Sequence, residues 1–190
     1  MKEKYHKEQA FERKDFSGGK MEEADFEACT FKACDFSEAD LSLMDFIDCQ
    51  FVDCNLSLVT LNGTLFQEAS FRDCKMLGLK FENCNKFGLS VYFRNCTLNN
   101  SSFYRAKMKK TVFIDCNLQH VDFSEADLFD SSFENSDLEQ AVFDNSNLEK
   151  VDFRGAKNFI IDPEKNRMKQ AKFLRPDLMG LLLKYNMQIE

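Results

Sequence analysis

The sequence predicts an all-β solenoid closed by a short C-terminal capping helix. Three observations predict it. An apolar residue recurs at every fifth position over most of the chain, the residue two places before it is mostly small, and every fourth repeat falls into one unbroken column of Phe. A spacing of five matches neither an amphipathic helix nor a flat strand, and self-similarity at a fixed spacing is the mark of stacked repeats.

The repeat centres run from Phe11 through Phe16, Met21, Phe26 and Phe31 to Phe81, slip by two residues, and resume at Phe93 through to Phe153. All 28 centres are Phe, Leu or Met. Every fourth centre gives Phe11, Phe31, Phe51, Phe71, Phe93, Phe113, Phe133 and Phe153, which fits a coil of 20 residues. One coil cannot bury its own ring, so stacking must supply the core.

The eight cysteines raise the question of a metal or redox site. Cys29, Cys34, Cys49, Cys54, Cys74, Cys96 and Cys116 all stand two residues before a centre, and Cys84 stands where the next would fall before the slip. At that position Cys alternates with Ala, Ser, Thr and Val, which a metal ligand could not do. The cysteines read as small buried hydrophobes, and no metal or cofactor is expected.

Segments such as "ADFEA", "CDFSE", "CNLQH", "VDFSE" and "SNLEK" put a small residue before Asp or Asn, then Leu or Phe, then two polar residues. In this the chain resembles the pentapeptide-repeat family over residues 11–157. The resemblance implies a right-handed quadrilateral β-helix with four pentapeptides per coil. Residues 1–10 are then an N-terminal cap and 158–190 an irregular last coil, a capping helix and a dimerisation tail. At the slip near 82–92, Lys86 cannot be a buried centre, so Phe87 or Leu89 is expected to fill inward.

After Phe153 the repeat fails and returns once at Phe173, twenty residues on, where it can cap the Phe column. Pro176 suits a first helical turn. Leu178, Leu181, Leu182 and Tyr185 fall on one helical face that can cover the last coil and its exposed edge. Met179, Leu183, Met187 and Ile189 are left over, and this surplus, with the family's habit, predicts a homodimer through the C-termini.

Chemistry is excluded more readily than assigned. Two His lie far apart, and no glycine-rich phosphate loop exists. Asp25, Asp35, Asp40, Asp45, Asp122, Asp127 and Asp137 recur just before centres, as corner hydrogen-bonders rather than acid–base pairs. The chain is not expected to be an enzyme. No apolar run approaches the roughly 20 residues of a membrane span, and the polar start lacks a signal-peptide core, so a cytoplasmic location is expected.

Charge is patterned along the rod. Residues 21–73 hold 12 acids against two bases, 74–114 one acid against eight bases, and 115–149 ten acids and no base. The overall charge of −7 gives no argument for nucleic-acid binding, and no direct binding of nucleic acid is expected. Residues 16–51, "FSGGKMEEADFEACTFKACDFSEADLSLMDFIDCQF", are similar to the Qnr-type quinolone-resistance proteins of the family. That resemblance implies a DNA mimic that binds the type II topoisomerases DNA gyrase and topoisomerase IV. Asp122, Asp127, Asp130, Glu134 and Asp137 become the contact candidates. The alternative is a scaffold for another protein partner, unrelated to topoisomerase.

Overall fold

The computed structural model describes residues 4–19 and 22–187. Among them eleven short strands, all paired in parallel, form two sheets. One contains β1 (Lys4–Lys7), β3 (Ala24–Glu27), β5 (Asp45–Ile47) and β7 (Leu65–Gln67). The other contains β2 (Ala10–Glu12), β4 (Thr30–Lys32), β6 (Gln50–Val52), β8 (Ala69–Arg72), β9 (Val91–Arg94), β10 (Val112–Ile114) and β11 (Ser132–Glu134). Two further faces are built from single bridges, such as Asp35↔Asn55 and Asp122↔Val142. Partners stand one coil of twenty residues apart, except where Phe71 meets Phe93 across the slip. The chain is thus a right-handed, four-sided β-helix.

The repeat of five follows from the corners. In most repeats the second residue after the centre turns the chain with a left-handed backbone, for example Glu38 (φ 59), Asp53 (φ 56) and Asp130 (φ 61). Asp and Asn tolerate that conformation better than most side chains, because their short polar groups bond locally. Just before the centre, Asp or Asn accepts a hydrogen bond from the amide two residues on: Asp35 from Ser37 at 2.9 Å, Asp122 from Ser124 at 2.8 Å. Such a bond satisfies one amide at the corner locally, while the left-handed corner residue itself donates to the next coil, as the Glu38 amide does to the Ser57 carbonyl at 2.9 Å.

The Phe column is continuous. Phe11 stacks on Phe31 at 4.9 Å, Phe71 on Phe93 at 5.4 Å across the slip, and Phe113 on Phe133 at 5.0 Å. Phe173 ends the column on Phe153 at 5.1 Å, as its spacing predicts. Neighbouring columns meet edge to face, as Phe103 meets Phe113 at 6.0 Å, the arrangement that ring quadrupoles favour.

All eight cysteines are free and buried. Their choice is not only a matter of size. The thiols of Cys34, Cys54, Cys74 and Cys96 donate to the carbonyls of Phe11, Phe31, Phe51 and Phe71 at 3.3–3.5 Å. Thr64, Ser131 and Ser146 make the same bond to Leu41, Met108 and Phe123 at 2.8–2.9 Å. Small donors at this position latch one coil to the centre of the coil before it.

The slip resolves one alternative and corrects the other. Leu89 packs against the core, whereas Phe87 points outward and is 86% exposed. The extra residues fall on the face of the four-stranded sheet, which stops at β7, while the other sheet passes the slip unbroken.

The expected short C-terminal helix is present and is flanked by tighter turns. Arg175–Leu178 and Leu183–Tyr185 are 3₁₀ turns on either side of α1 (Met179–Leu182), with Pro176 in the first turn. The tighter turns shift which side chains face the coil. Leu181 packs on the core, and Gly180 lies so close against Phe159 that a side chain there would collide with it. Leu178 and Tyr185, expected to face inward, remain 40% and 47% exposed. Lys184 instead ties the cap to the last coil by ion pairs to Asp162 and Glu164.

Candidate interaction surface

The five acidic candidates do not form one patch. Asp122 lies in the ladder Ser102–Asp122–Val142, Asp127 in Lys107–Asp127–Asn147 and Asp137 in Asn117–Asp137–Lys157. Glu134 belongs to β11, and Asp130 turns the corner just before it. Within a single coil they occupy all four sides, so they ring the rod.

Their partners separate them further. Asp122 is committed to its Ser124 amide. Asp127 accepts from the Asn147 amide group at 2.7 Å and faces Lys109 at 3.3 Å. Asp137 accepts from Gln119 and Asn158, both at 2.8 Å, and from the Glu139 amide at 3.1 Å. Partial burial works against the charge of Asp137, but those three bonds outweigh it and hold its carboxyl below the usual range. Of the other acids in residues 115–149, Glu125 is held by Arg105 at 2.6 Å and Glu149 by Arg167 at 2.9 Å. Asp130 and Glu134 are exposed, and no side-chain partner holds either among the described residues. Asp130 turns the corner before β11, and Glu134 ends that strand beside the next corner at Asn135, so they stand at opposite edges of the longer sheet.

Register adds a feature that the linear count of charges does not contain. On the Glu134 edge of that sheet, Asp53 bonds through its amide to Arg72, Asp73 to Arg94, Asn95 to Ile114 and Asp115 to Glu134. These backbone bonds stack Asp53, Asp73, Asn95, Asp115 and Asn135 in one column, all with left-handed backbones. The Asn side chains donate to the Asp beneath them, Asn95 to Asp73 at 2.7 Å and Asn135 to Asp115 at 3.3 Å. Amides placed between carboxylates relieve the repulsion of stacked like charges. Within the basic belt the column holds the neutral Asn95, and its acids Asp73 and Asp115 flank the belt on either side. Reading the sequence in columns of 20, with the slip allowed for, would have found it.

The basic belt is mostly solvent-facing: Lys75, Lys80, Lys86, Arg94, Arg105, Lys107, Lys109 and Lys110 are all exposed. At the C-terminal end, Met179, Leu183 and Met187 are 43%, 49% and 50% exposed and continue into Leu174 at 46%. Ile189 lies outside the described residues. Among the described residues no group of His, Cys, Asp and Glu could hold a metal ion, and no helix is long and apolar enough to cross a membrane.

A family profile described as pentapeptide repeat region matches residues 10–87 and 89–158. The break at Gly88 coincides with the outward bump. No curated protein matches the chain. The full-length structure of QnrB1, a plasmid-mediated fluoroquinolone resistance protein, is similar at 20% identity with a TM-score of 0.51, over 96% of this chain and 100% of that one. A trypsin-treated variant of QnrB1 is similar at 20% identity with a TM-score of 0.50, over 98% of this chain and 91% of that one. HetL, a pentapeptide repeat protein involved in heterocyst differentiation regulation from the cyanobacterium Nostoc, shares 17% identity with a TM-score of 0.44, over 91% of this chain and 87% of its own.

Proposed function

The chain belongs to the pentapeptide-repeat family, and from that premise we propose that it is a non-enzymatic binding protein whose acidic rod imitates duplex DNA to a type II topoisomerase. The observation that carries this reading is the acidic edge. Asp53, Asp73 and Asp115 recur along one straight edge of the rod, Glu134 stands beside that column, and Asp130 stands on the other edge of the same sheet. Duplex DNA carries about one charge per 1.7 Å. The first acidic band, 12 acids against two bases, spans roughly 13 Å at a coil spacing of about 4.8 Å, so its charge density is comparable. QnrB1, whose fold this chain shares, is a fluoroquinolone resistance protein, and quinolones act on DNA gyrase and topoisomerase IV.

The exposed Met179, Leu183 and Met187 serve, in this reading, to join two chains end to end. A two-fold rod would then meet a two-fold enzyme with the same acidic surface on each half. The basic belt favours a second reading, a scaffold for a different protein, because a pure DNA mimic has no use for eight bases in its middle.

The test is gyrase supercoiling, with and without a quinolone, for the wild-type chain and two charge-reversed forms. One carries Asp53→Lys, Asp73→Lys and Asp115→Lys; the other carries Asp130→Lys and Glu134→Lys. Wild type should alter supercoiling or relieve quinolone inhibition at micromolar concentration and low salt, and the first variant should lose the effect while keeping its melting profile. A wild-type chain without either effect removes the topoisomerase reading and leaves the scaffold.

A further inference from the structure

We propose that the bump at residues 86–88 is a second docking site, of opposite character, for an acidic protein segment carrying one large apolar side chain. Phe centres from Phe26 to Phe153 are buried in the core, yet Phe87 is 86% exposed, the most exposed of the large hydrophobics. It is presented on a fixed support. The Phe87 amide donates to Asn85 Oδ1 at 3.0 Å. Asn85 and Ser90 donate through their amides to Thr64 and Phe66, both at 2.9 Å, and Ser90 Oγ donates to Glu68 at 2.8 Å. Gly88, with φ 109, lies over Leu65, where an added Cβ would come within 3.2 Å of that side chain. Both feet of the bump are therefore tied to the preceding coil, and only its tip stands clear. The backbone that presents the Phe87 ring is therefore ordered before a partner arrives, which lowers the cost of using that ring as an anchor.

The surroundings define the occupant. Lys86 lies on the bump itself, and Lys107 and Lys110 are exposed on the following coil. Among the described residues no carboxylate pairs with the side chains of these three, whereas nearby Arg105 and Lys109 are paired with Glu125 and Asp127. At the C-terminal foot of the bump a hollow of about 200 Å³ is lined by Glu68, Ser70, Ser90, Tyr92 and Lys110, with Glu68 held by the Ser90 hydroxyl. Glu68 keeps carboxylates out of the hollow itself, so an acidic segment pairs with the exposed ammonium groups of Lys86, Lys107 and Lys110 around the bump while an apolar neighbour packs on Phe87. Charge complementarity thus selects an acidic segment, and the single ring selects one apolar anchor within it. The site stands apart from the acidic edge and does not depend on what that edge binds.

Fluorescence anisotropy with labelled nine-residue peptides tests this. One probe has a central Phe flanked by Asp and Glu, a second has Ala in its place, a third has Lys and Arg flanks, and a labelled twelve-nucleotide oligo-dT is the fourth. Binding of the acidic Phe peptide should weaken at least tenfold with Phe87→Ala, with Lys86→Glu/Lys110→Glu, and with the Ala peptide, and should fall with added salt. Phe87 lies outside the core, so its variant should melt like wild type. Equal binding to wild type and Phe87→Ala, or no binding at millimolar peptide, overturns the proposal. Preferential binding of oligo-dT, lost in the same two variants, also overturns it and assigns the bump to single-stranded nucleic acid.

Discussion

Phe113→Ala tests the packing on which everything else rests. Phe113 is fully buried, with Phe93 and Phe133 stacked at 5.0 Å on its two faces. Phe103 and Phe123 meet it edge-on at 6.0 Å. The flanking coils are held in register by the pairings of Val112 with Tyr92 and Ser132, so they cannot close over a missing ring. Truncating a buried Phe costs about 3–5 kcal/mol, and a site that cannot relax belongs at the upper end, about 4–5 kcal/mol. At about 2–4 °C per kcal/mol for a chain of this size, the melting midpoint should fall by roughly 8–20 °C. The control is Phe129→Ala, one residue after a centre. Its ring is half-buried, and its specific contact is with the Lys150 ammonium at 5.1 Å, a cation–π contact of about 0.5–1 kcal/mol at an exposed site. Thermal unfolding followed by circular dichroism measures both. Equal losses at the two positions would refute the inward–outward frame.

Further outcomes follow from the same geometry. Burial pushes the thiols of Cys49 and Cys84 up to about 12; native protein at neutral pH should therefore react slowly with a thiol reagent and release all eight thiols only on unfolding. Met179→Lys with Leu183→Lys should give a folded monomer by sedimentation if the exposed C-terminal side chains join two copies; an unchanged mass for wild type and variant would remove the dimer. The carboxyls of Asp162 and Glu164 are held below their usual range by hydrogen bonds from Lys184. Because the folded pKa is the lower one, this contribution is complete above the unfolded values of about 3.9 and 4.3 and is lost as pH falls through the folded ones. The Ile161 amide, which donates to Gly180 of the cap at 3.0 Å, should accordingly lose hydrogen-exchange protection in acid, as pH falls below the unfolded values, before the central coils do.

What could be read in the sequence is what repeats. The Phe column, the slip between Phe71 and Phe93 and the closing ring at Phe173 are all forced by a side chain that must be buried at a fixed interval, and the structure keeps each of them. The cysteine rule was legible in position but only half in cause. Size can be read from the swap with Ala, whereas the bond from Cys54 to the Phe31 carbonyl depends on a partner 23 residues away. The cap was legible as an apolar helix-like segment, but 3₁₀ turns rotate Leu178 and Tyr185 outward, and helical spacing could not foresee that. At the slip, both Phe87 and Leu89 are apolar and composition cannot choose between them; the chain takes the smaller side chain into the core, and Gly88 makes the reversal between them possible.

Surface chemistry was the least legible part, for one reason. In this fold many acids are structural before they are functional. Asp35 and Asp122 bond their own corner amides, and Asp53 and Asp73 supply a side chain that tolerates the left-handed backbone. A count of negative charge therefore overstates what a partner can see. The informative acids are those whose place could be filled without charge. Asn95 and Asn135 show that amides serve in the same column as Asp73 and Asp115, so the fold tolerates neutral residues there. Replacing Asp53, Asp73 and Asp115 with Asn should leave the melting temperature within a few degrees, since the ladder bonds run through the backbone. If partner binding by the acidic edge falls at the same time, the charge was there for the partner. If the melting temperature falls instead and binding to whatever remains folded is unchanged, the acids belong to the coil, and the edge carries no function.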